Sequence, residues 1–154
     1  MSEPQRLLVR DVPPSDMHDL RRRVLRTGTP SSNVTFEQDD RRGTVHLGAF
    51  LGARLVAIGT FFPSPTTWRP GRRAVQLRGM AVEPGVQGTG AGRFLLEAAI
   101  DRLRREGVEV LWANARDSAL GFYVRLGMDI VGDGFVSGET ALPHHVVVLD
   151  LEGT

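Results

Sequence analysis

The most informative segment of the chain is QLRGMAVEPGVQGTGAGRFLL, residues 76–96. Its first part is rich in apolar residues, its middle contains Gly88, Gly90 and Gly92, and its last part opens an apolar helical pattern. This order predicts a strand, a glycine-rich turn and a helix. Free N–H groups and the helix dipole favour a bound phosphate at such a helix start. The glycines would equally suit a tight turn with positive φ and no ligand, and they do not decide between these alternatives.

Two familiar phosphate-binding loops do not fit this segment. A dinucleotide fingerprint needs glycine at the sixth position counted from Gly88, where this chain has Arg93, and the preceding chain reads as a hairpin instead of a βαβ unit. A Walker A loop needs a lysine, but all 19 residues in the Lys+Arg class are arginines. The absence of lysine also excludes Schiff-base and pyridoxal-phosphate chemistry.

Hydrophobic periodicity and turn residues on both sides of the segment predict an α/β (α+β) fold. Seven strands are expected, at 5–10, 44–51, 54–62, 74–83, 108–113, 129–136 and 144–151. Helices are expected at about 16–28, 91–106 and 117–126. Residues 30–43 are polar and show no clear period, so they are expected to form a loop or a short helical turn.

Composition restricts the class of protein. The chain has 154 residues, of which 41% are hydrophobic and 24% charged, as is typical of a single globular domain, here residues 1–154. It has no cysteine, which excludes disulfides, thiolate metal sites and acyl-cysteine intermediates. A net charge of +1 does not favour a nucleic-acid or membrane surface. No apolar window approaches the ~18 residues of a membrane span, and we expect a cytoplasmic protein.

Three motifs in one order indicate a family. QGTGAG, residues 87–92, resembles the pyrophosphate-binding motif [RQ]-x-x-G-x-[GA] of the GNAT superfamily of coenzyme A-dependent N-acyltransferases. The apolar strand that ends at Asn114 and the helix that opens at Asp117 continue the resemblance. FYVRLGM, residues 122–128, is similar to the family's F-Y-x-x-x-G-[FM] signature. The order of the expected elements also resembles the GNAT order, over about residues 5–151.

The resemblance implies a GNAT fold, with a mixed central sheet of about seven strands flanked by helices and a splayed strand pair at the coenzyme A site. It implies acetyl-CoA as the acyl donor and no metal. In the family, the backbone of the strand before the loop binds the pantetheine arm, and the loop binds the pyrophosphate. The corresponding residues here are Met80, Ala81, Val82, Gln87, Gly88, Thr89, Gly90, Ala91, Gly92, Arg93, Asn114, Ser118 and Tyr123.

Tyr123 is the only tyrosine of the chain. In many GNAT enzymes the tyrosine at this position donates a proton or a hydrogen bond to the coenzyme A sulfur as the thiolate leaves. The resemblance therefore implies that Tyr123 is a catalytic acid. The alternative is a core aromatic residue with a purely structural hydroxyl group.

The acceptor amine must lose a proton, so a general base or a water chain to one is needed. His144 and His145 open the last strand, after a loop that borders the acceptor pocket in the superfamily. Successive strand residues point to opposite faces, so at most one histidine faces the pocket directly. Related sequences often carry Pro-His here, which favours His144. Glu139 in the loop, His46 and Glu83 are the other candidates.

Three charged residues are candidates for acceptor binding. Arg78 lies in the strand that leads into the donor site, on the face that simple alternation shares with Met80 and Val82. It could bind a carboxylate of the acceptor in a bidentate manner or form an internal ion pair. Glu139 lies in the loop at the pocket, and Arg21 is the one arginine of an otherwise solvated run that we expect there.

The resemblance to the GNAT superfamily implies one of two function classes. The first is an N-acetyltransferase that moves the acetyl group from acetyl-CoA directly to an amine of a small molecule. The oxyanion would then be met by a backbone N–H group near Met80 or Val82. The alternative is a non-catalytic coenzyme A-binding or sensor module of the same fold. The acceptor cannot be identified from the sequence, and a homodimer stays open.

Overall fold

The structure, a computed structural model, describes residues 6–151. Its seven strands are β1 (Leu7–Asp11), β2 (Val45–Leu51), β3 (Arg54–Pro63), β4 (Ala74–Val82), β5 (Val110–Arg116), β6 (Asp129–Val136) and β7 (Pro143–Asp150). They form one mixed sheet in the order β1-β2-β3-β4-β5-β7-β6. The predicted α/β class and seven-stranded mixed sheet are confirmed. Gln5, the first residue of the first predicted strand, lies outside the described residues.

Three helical segments flank this sheet. The first, α1, covers residues 14–26 and combines a 3₁₀ turn (Pro14–Met17), a short α-helix (His18–Leu20) and a π-helical stretch (Arg21–Arg26). The other two are α2 (Ala91–Arg105) and α3 (Leu120–Arg125), and α3 follows a 3₁₀ turn at Asp117–Ala119. None of the described helices is long and apolar enough to cross a membrane.

The hydrophobic core lies on both faces of the sheet. The apolar stripe of α2, including Leu95, Leu96 and Ala99, is buried against β2, β3 and β4. Tyr123 of α3 belongs to the same cluster. On the opposite face, α1 buries Met17 beside Ile58 of β3. The sheet is therefore a middle layer with helices packed on both of its faces.

Strands β4 and β5 separate at the centre of the sheet. Their parallel pairing runs from Ala74 and Val110 to Leu77 and Ala113 and stops there. Beyond that point β4 pairs only with β3, and β5 pairs only with β7. The predicted splayed strand pair is confirmed, and it leaves a cleft whose walls are the last residues of both strands.

A β-bulge in β4 corrects one sequence-based expectation. Thr60 pairs with Arg78 and Ile58 pairs with Ala81, so β4 has one extra residue between these two pairs. Gly79 takes φ +72° there, a left-handed value that favours glycine. The bulge reverses the alternation of side chains along β4. As a result, Met80 and Val82 pack with the α2 core, whereas Arg78 lies on the opposite face of the sheet. The expectation that Arg78 shares a face with Met80 and Val82 is therefore wrong.

The end of β5 differs from the sequence-based expectation. β5 continues from Ala113 to Arg116 because Asn114, Ala115 and Arg116 stay paired with β7. Residues 30–43 form loop and turns, in agreement with the expectation, and they bury Phe36 and Asp39. Both segments bring additional side chains to the cleft between β4 and β5.

Candidate active site

Two cavities meet at the separation of β4 and β5. The glycine-loop cavity, of about 630 Å³, lies between the end of β4, the loop at 86–93 and α3. The arginine-lined cavity, of about 490 Å³, lies between β4, β5, residues 36–38 and the segment 135–140. Both cavities are lined by Leu25, Met80, Arg116, Ala119 and Tyr123. A molecule in one cavity can therefore reach a molecule in the other beside Tyr123.

The glycine-loop cavity presents bare backbone at the start of α2. Gly90 is the N-cap, with φ +89° and no side-chain cap, and the first helical bond runs from Phe94 N–H to the Gly90 carbonyl at 2.8 Å. The N–H groups of residues 91–93, which precede Phe94, therefore have no acceptor within the helix. A Cβ atom added at Gly88 or Gly90 would meet nothing within 4 Å, so the space beside the loop is open. This arrangement suits a phosphate group.

Side chains contribute less to this wall than backbone does. Gln87 Nε2 donates to the Val82 carbonyl at 3.1 Å, and Arg93 Nε donates to Glu97 Oε1 at 2.7 Å. Eleven of the thirteen residues predicted to bind coenzyme A line the cavity. Thr89 does not, and its hydroxyl donates to the Val86 carbonyl. Asn114 lines the arginine-lined cavity instead.

The Tyr123 side chain lies at the junction of the cavities. Tyr123 is 5% exposed, and burial raises the pKa of its phenol above the usual value. Within residues 6–151 its hydroxyl has no hydrogen-bond partner. Phe122 packs edge-on against its ring at a centroid distance of 5.1 Å. Tyr123 thus carries a protonated, uncommitted hydroxyl group at the point where the two cavities communicate.

His144 lies on the wall of the arginine-lined cavity and is 7% exposed. Its Nδ1 is 2.8 Å from the Leu142 carbonyl oxygen. A carbonyl can only accept, so Nδ1 carries the proton and Nε2 has a free lone pair in the neutral ring. The ring of Phe135 stacks on the imidazole at 5.7 Å. His144 is therefore fixed in the tautomer that a general base needs.

The other base candidates lie elsewhere. His145 points to the opposite face of β7, where its Nδ1 is 2.7 Å from Asp117 Oδ1. The imidazole of His46 contacts Thr60 Oγ1 at 2.9 Å and the Asp39 carbonyl at 3.0 Å. Glu83 forms ion pairs with arginines, the nearest being Arg23 at 2.7 Å. None of these three lines either cavity.

Glu139 lies on the wall of the arginine-lined cavity but is already paired. Its Oε2 accepts a hydrogen bond from Arg78 at 2.9 Å, and its Oε1 lies 3.4 Å from Arg26. Burial acts to raise the pKa of Glu139, but the charges of Arg26 and Arg78 outweigh it and hold the pKa below its usual value. The side chain is therefore ionised and weakly basic at neutral pH. Arg78 also lines the cavity, with its guanidinium 4.1 Å from the Phe36 ring centroid.

Arg21 does not reach the cavity wall. Its side chain is fully buried and forms a two-point ion pair with Asp39 at 2.7 and 2.9 Å. It also donates to Thr60 Oγ1 at 2.9 Å, and its Nε has no hydrogen-bond partner among residues 6–151. The expected contact of Arg21 with a substrate is not supported, because the π-helical end of α1 directs this side chain into the core.

Several residues that line the arginine-lined cavity had no functional assignment from the sequence, and four of them bear on its shape and charge. Phe36 and Gln38 come from the aperiodic segment 30–43, and Arg26 and Arg116 end α1 and β5. The sequence did contain one indication that Phe36 is buried, because it is an isolated phenylalanine within a polar segment. Arg26 and Arg116 carried no signal, because an arginine at the end of an element is ordinarily solvated.

Comparison with known proteins agrees with this geometry. The model of the acetyltransferase (GNAT) family matches residues 14–128. YitI of Bacillus subtilis, an uncharacterized N-acetyltransferase, is 32% identical over 129 residues, which cover 84% of this chain and 87% of YitI. The chain therefore belongs to the GNAT family, and it is an acyltransferase of the N-acetyltransferase class.

Solved structures share the fold. The ribosomal-protein-S18-alanine N-acetyltransferase of Escherichia coli superposes with a TM-score of 0.73 at 20% identity, over 97% of this chain and 96% of that chain. YncA of Salmonella typhimurium, solved with acetyl-CoA, gives 0.72 at 20% identity, over 96% and 95%. At such identities the likeness concerns the fold alone.

Proposed function

We propose that this protein transfers the acetyl group of acetyl-CoA directly to an amine of a small molecule. The observation that carries the proposal is the junction of two cavities at Tyr123. One cavity offers a phosphate cradle, and the other offers a histidine with a free Nε2. A donor and an acceptor could thus be bound together and react at the junction, without a covalent enzyme intermediate or a metal.

Acetyl-CoA fits the glycine-loop cavity. Its pyrophosphate would accept hydrogen bonds from the bare N–H groups of Gly88 and of residues 90–93, where the start of the 15-residue helix α2 favours an anion. Its pantetheine arm would run along the end of β4, whose edge is released from β5 after Leu77. YncA, which shares the fold, was solved with acetyl-CoA. The thioester would then lie near Met80 and Tyr123.

Tyr123 at the junction and His144 on the wall of the arginine-lined cavity support direct transfer. His144 Nε2 would accept the proton that the amine loses as the new C–N bond forms. Backbone N–H groups at the end of β4 would meet the negative charge that develops on the carbonyl oxygen. Tyr123 would donate its proton to the sulfur as the C–S bond breaks. Both proton-transfer groups are largely buried, which keeps water from competing with the amine.

The first test is turnover with acetyl-CoA and a panel of amines, followed by release of free thiol. Acetylation of at least one small amine is expected. A protein that binds acetyl-CoA by calorimetry but acetylates no amine in the panel would instead be the coenzyme A sensor module.

A matched pair of variants tests the position of the donor. Gly90→Val places a branched side chain in the open space beside the loop at a left-handed φ, and it should weaken acetyl-CoA binding at least about tenfold. Gly85 precedes the cradle, has open space around it and an ordinary φ, so Gly85→Val is the control and should bind normally. Equal affinities in folded Gly90→Val and wild-type protein would contradict the proposed cradle.

A further inference from the structure

The arginine-lined cavity has an unusual charge balance for a site that receives an amine. Its walls carry three guanidinium groups, from Arg26, Arg78 and Arg116, and a single carboxylate, from Glu139. A cavity that bound only a cationic amine would be expected to have the opposite excess, because like charges in a confined site repel.

The one carboxylate cannot balance this charge. Glu139 accepts hydrogen bonds from Arg78 at 2.9 Å, from the Ser31 hydroxyl at 3.2 Å and from the Asn33 amide at 3.4 Å. It also lies 3.4 Å from Arg26. Two guanidinium groups therefore share Glu139, and it has little capacity to attract a further cation.

Arg116 has no acidic partner within residues 6–151. Its guanidinium donates to the Leu25 carbonyl, and it lines both cavities at their junction. Burial lowers the pKa of Arg116, and the positive charge of Arg26 lowers it further. Burial likewise lowers the pKa of Arg26, although Glu139 opposes that shift. Both cations would be stabilised by an anion between them.

We infer that the acceptor is an amino acid-like molecule, whose carboxylate binds Arg116 and Arg26 while its amine faces His144. This inference rests on the proposed function and narrows its substrate class. The apolar part of the molecule would contact Phe36, Phe135 and Ala115, which also line the cavity. About 490 Å³ is a volume typical of sites for small ligands. We expect polyamines and aminoglycosides to be poor acceptors, because they would add positive charge to a cationic cavity.

The wild-type enzyme provides the first experiment. The probes are the twenty proteinogenic L-amino acids, the corresponding amino acid amides, spermidine and kanamycin, each assayed with acetyl-CoA by thiol release. The best amino acid should exceed its own amide in kcat/KM at least about tenfold. The amine of the amide is less basic, so a larger fraction of it is unprotonated and reactive near neutral pH. A preference for the acid therefore cannot result from the reactivity of its amine. An amide equal to its acid, or a polycation as the best acceptor, overturns the inference.

The second experiment tests Arg116. Arg116→Met should reduce the ratio of kcat/KM for the acid to that for its amide at least about tenfold, while the KM for acetyl-CoA changes little. Arg116→Lys keeps a charge without the guanidinium fork and should reduce the ratio less. Arg22→Met is the matched control, because Arg22 is exposed, lies one helical turn before Arg26 and lines neither cavity. If Arg116→Met raises the KM for acetyl-CoA but keeps the ratio of kcat/KM for the acid to that for its amide, then Arg116 binds the donor. That result would overturn the inference.

A binding measurement separates failure of the inference from failure of the proposed function. The same acids and amides are titrated calorimetrically into the wild-type protein saturated with coenzyme A. Acids that bind while their amides do not, without acetylation of any amine, support the carboxylate site and refute the acetyl transfer. Acetylation of amines that shows no preference for the carboxylate refutes the inference alone. Absence of both binding and turnover refutes both.

Discussion

The hydroxyl group of Tyr123 is expected to affect chemistry more than stability. It has no hydrogen-bond partner within residues 6–151, and burial keeps it protonated by raising the pKa of the phenol. Tyr123→Phe keeps the ring and its contact with Phe122, so the fold and acetyl-CoA affinity should change little. Turnover should fall at least about tenfold, because the sulfur leaves without a proton donor. Wild-type turnover under conditions where chemistry limits the rate would remove Tyr123 from the mechanism.

Substitutions at His144 and His145 provide a matched test of the proposed general base. The base must be unprotonated to accept a proton, so kcat/KM is expected to rise with pH as the imidazole becomes neutral. His144→Gln approximately keeps size and hydrogen bonding but cannot take the proton, so it should flatten this limb and lower the plateau. His145 points away to Asp117, so His145→Gln should keep the wild-type profile. A wild-type profile in both variants would mean that water or another group removes the proton.

Tyr123 and His144 could be proposed as site residues from the sequence because the patterns that point to them are local along the chain. A glycine-rich turn before a helix and a histidine after a loop are visible in sequence alone. Arg26, Arg116 and Phe36 became part of the site only through contacts between distant segments. Arginine is common on solvent-exposed surfaces and phenylalanine is common in protein cores, so no local pattern distinguished these residues.

The bulge in β4 determines which of its side chains face the arginine-lined cavity. Its Gly79 has φ +72°, and an added Cβ atom would lie 2.6 Å from Phe36 Cε2. Gly79→Ala should therefore lower the free energy of unfolding by about 1–3 kcal/mol, measured by urea denaturation. It should also raise the KM of the acceptor by displacing Phe36. Gly85→Ala, at an ordinary φ with open space, is the control and should stay within about 0.5 kcal/mol of wild type. Equal stability of both variants would contradict a required left-handed conformation at Gly79.

The elements themselves were largely predictable, whereas their irregularities were not. Apolar periodicity predicted α2 and its buried stripe, and the seven strands appear in the expected order. Gly79 was the available signal for the bulge, because an isolated glycine within a strand often marks one, but the sequence does not specify the pairing with the partner strand that a bulge alters. Likewise, the polar residues Asn114 and Arg116 suggested that β5 had ended, although pairing with β7 extends it. Such features depend on the partner strand, which a single segment does not specify.

A buried polar network connects the aperiodic segment 30–43 to the sheet. Asp39 accepts two hydrogen bonds from Arg21 and one from the Phe36 N–H at 3.0 Å. Arg21 donates to Thr60 of β3, and Thr60 contacts His46 of β2. The Arg21 guanidinium lies 3.9 Å from the Phe36 ring centroid, so the network also positions one wall of the arginine-lined cavity. Stability and the shape of the site are thus coupled through Asp39.

Replacing Asp39 is therefore expected to destabilise the whole molecule. Asp39→Asn leaves the fully buried guanidinium of Arg21 without its counter-charge, which should cost about 3–5 kcal/mol in urea denaturation at neutral pH. Asp40 is exposed and adjacent, so Asp40→Asn is the matched control and should stay within about 0.5 kcal/mol of wild type. A similarly small loss in Asp39→Asn would contradict a stabilising role for the pair.

The pH dependence of stability gives an independent check on the same pair. Burial acts to raise the pKa of Asp39, but the hydrogen bonds from Arg21 and the Phe36 N–H outweigh it, so the folded-state pKa lies below the usual value. An aspartate with a lowered pKa contributes stability above its unfolded pKa of about 3.9 and loses it as pH falls through the folded pKa. The difference in unfolding free energy between wild type and Asp39→Asn should therefore be constant above about pH 5 and shrink below about pH 4. A difference that stays constant to lower pH would mean that the carboxylate's charge is not what stabilises the fold.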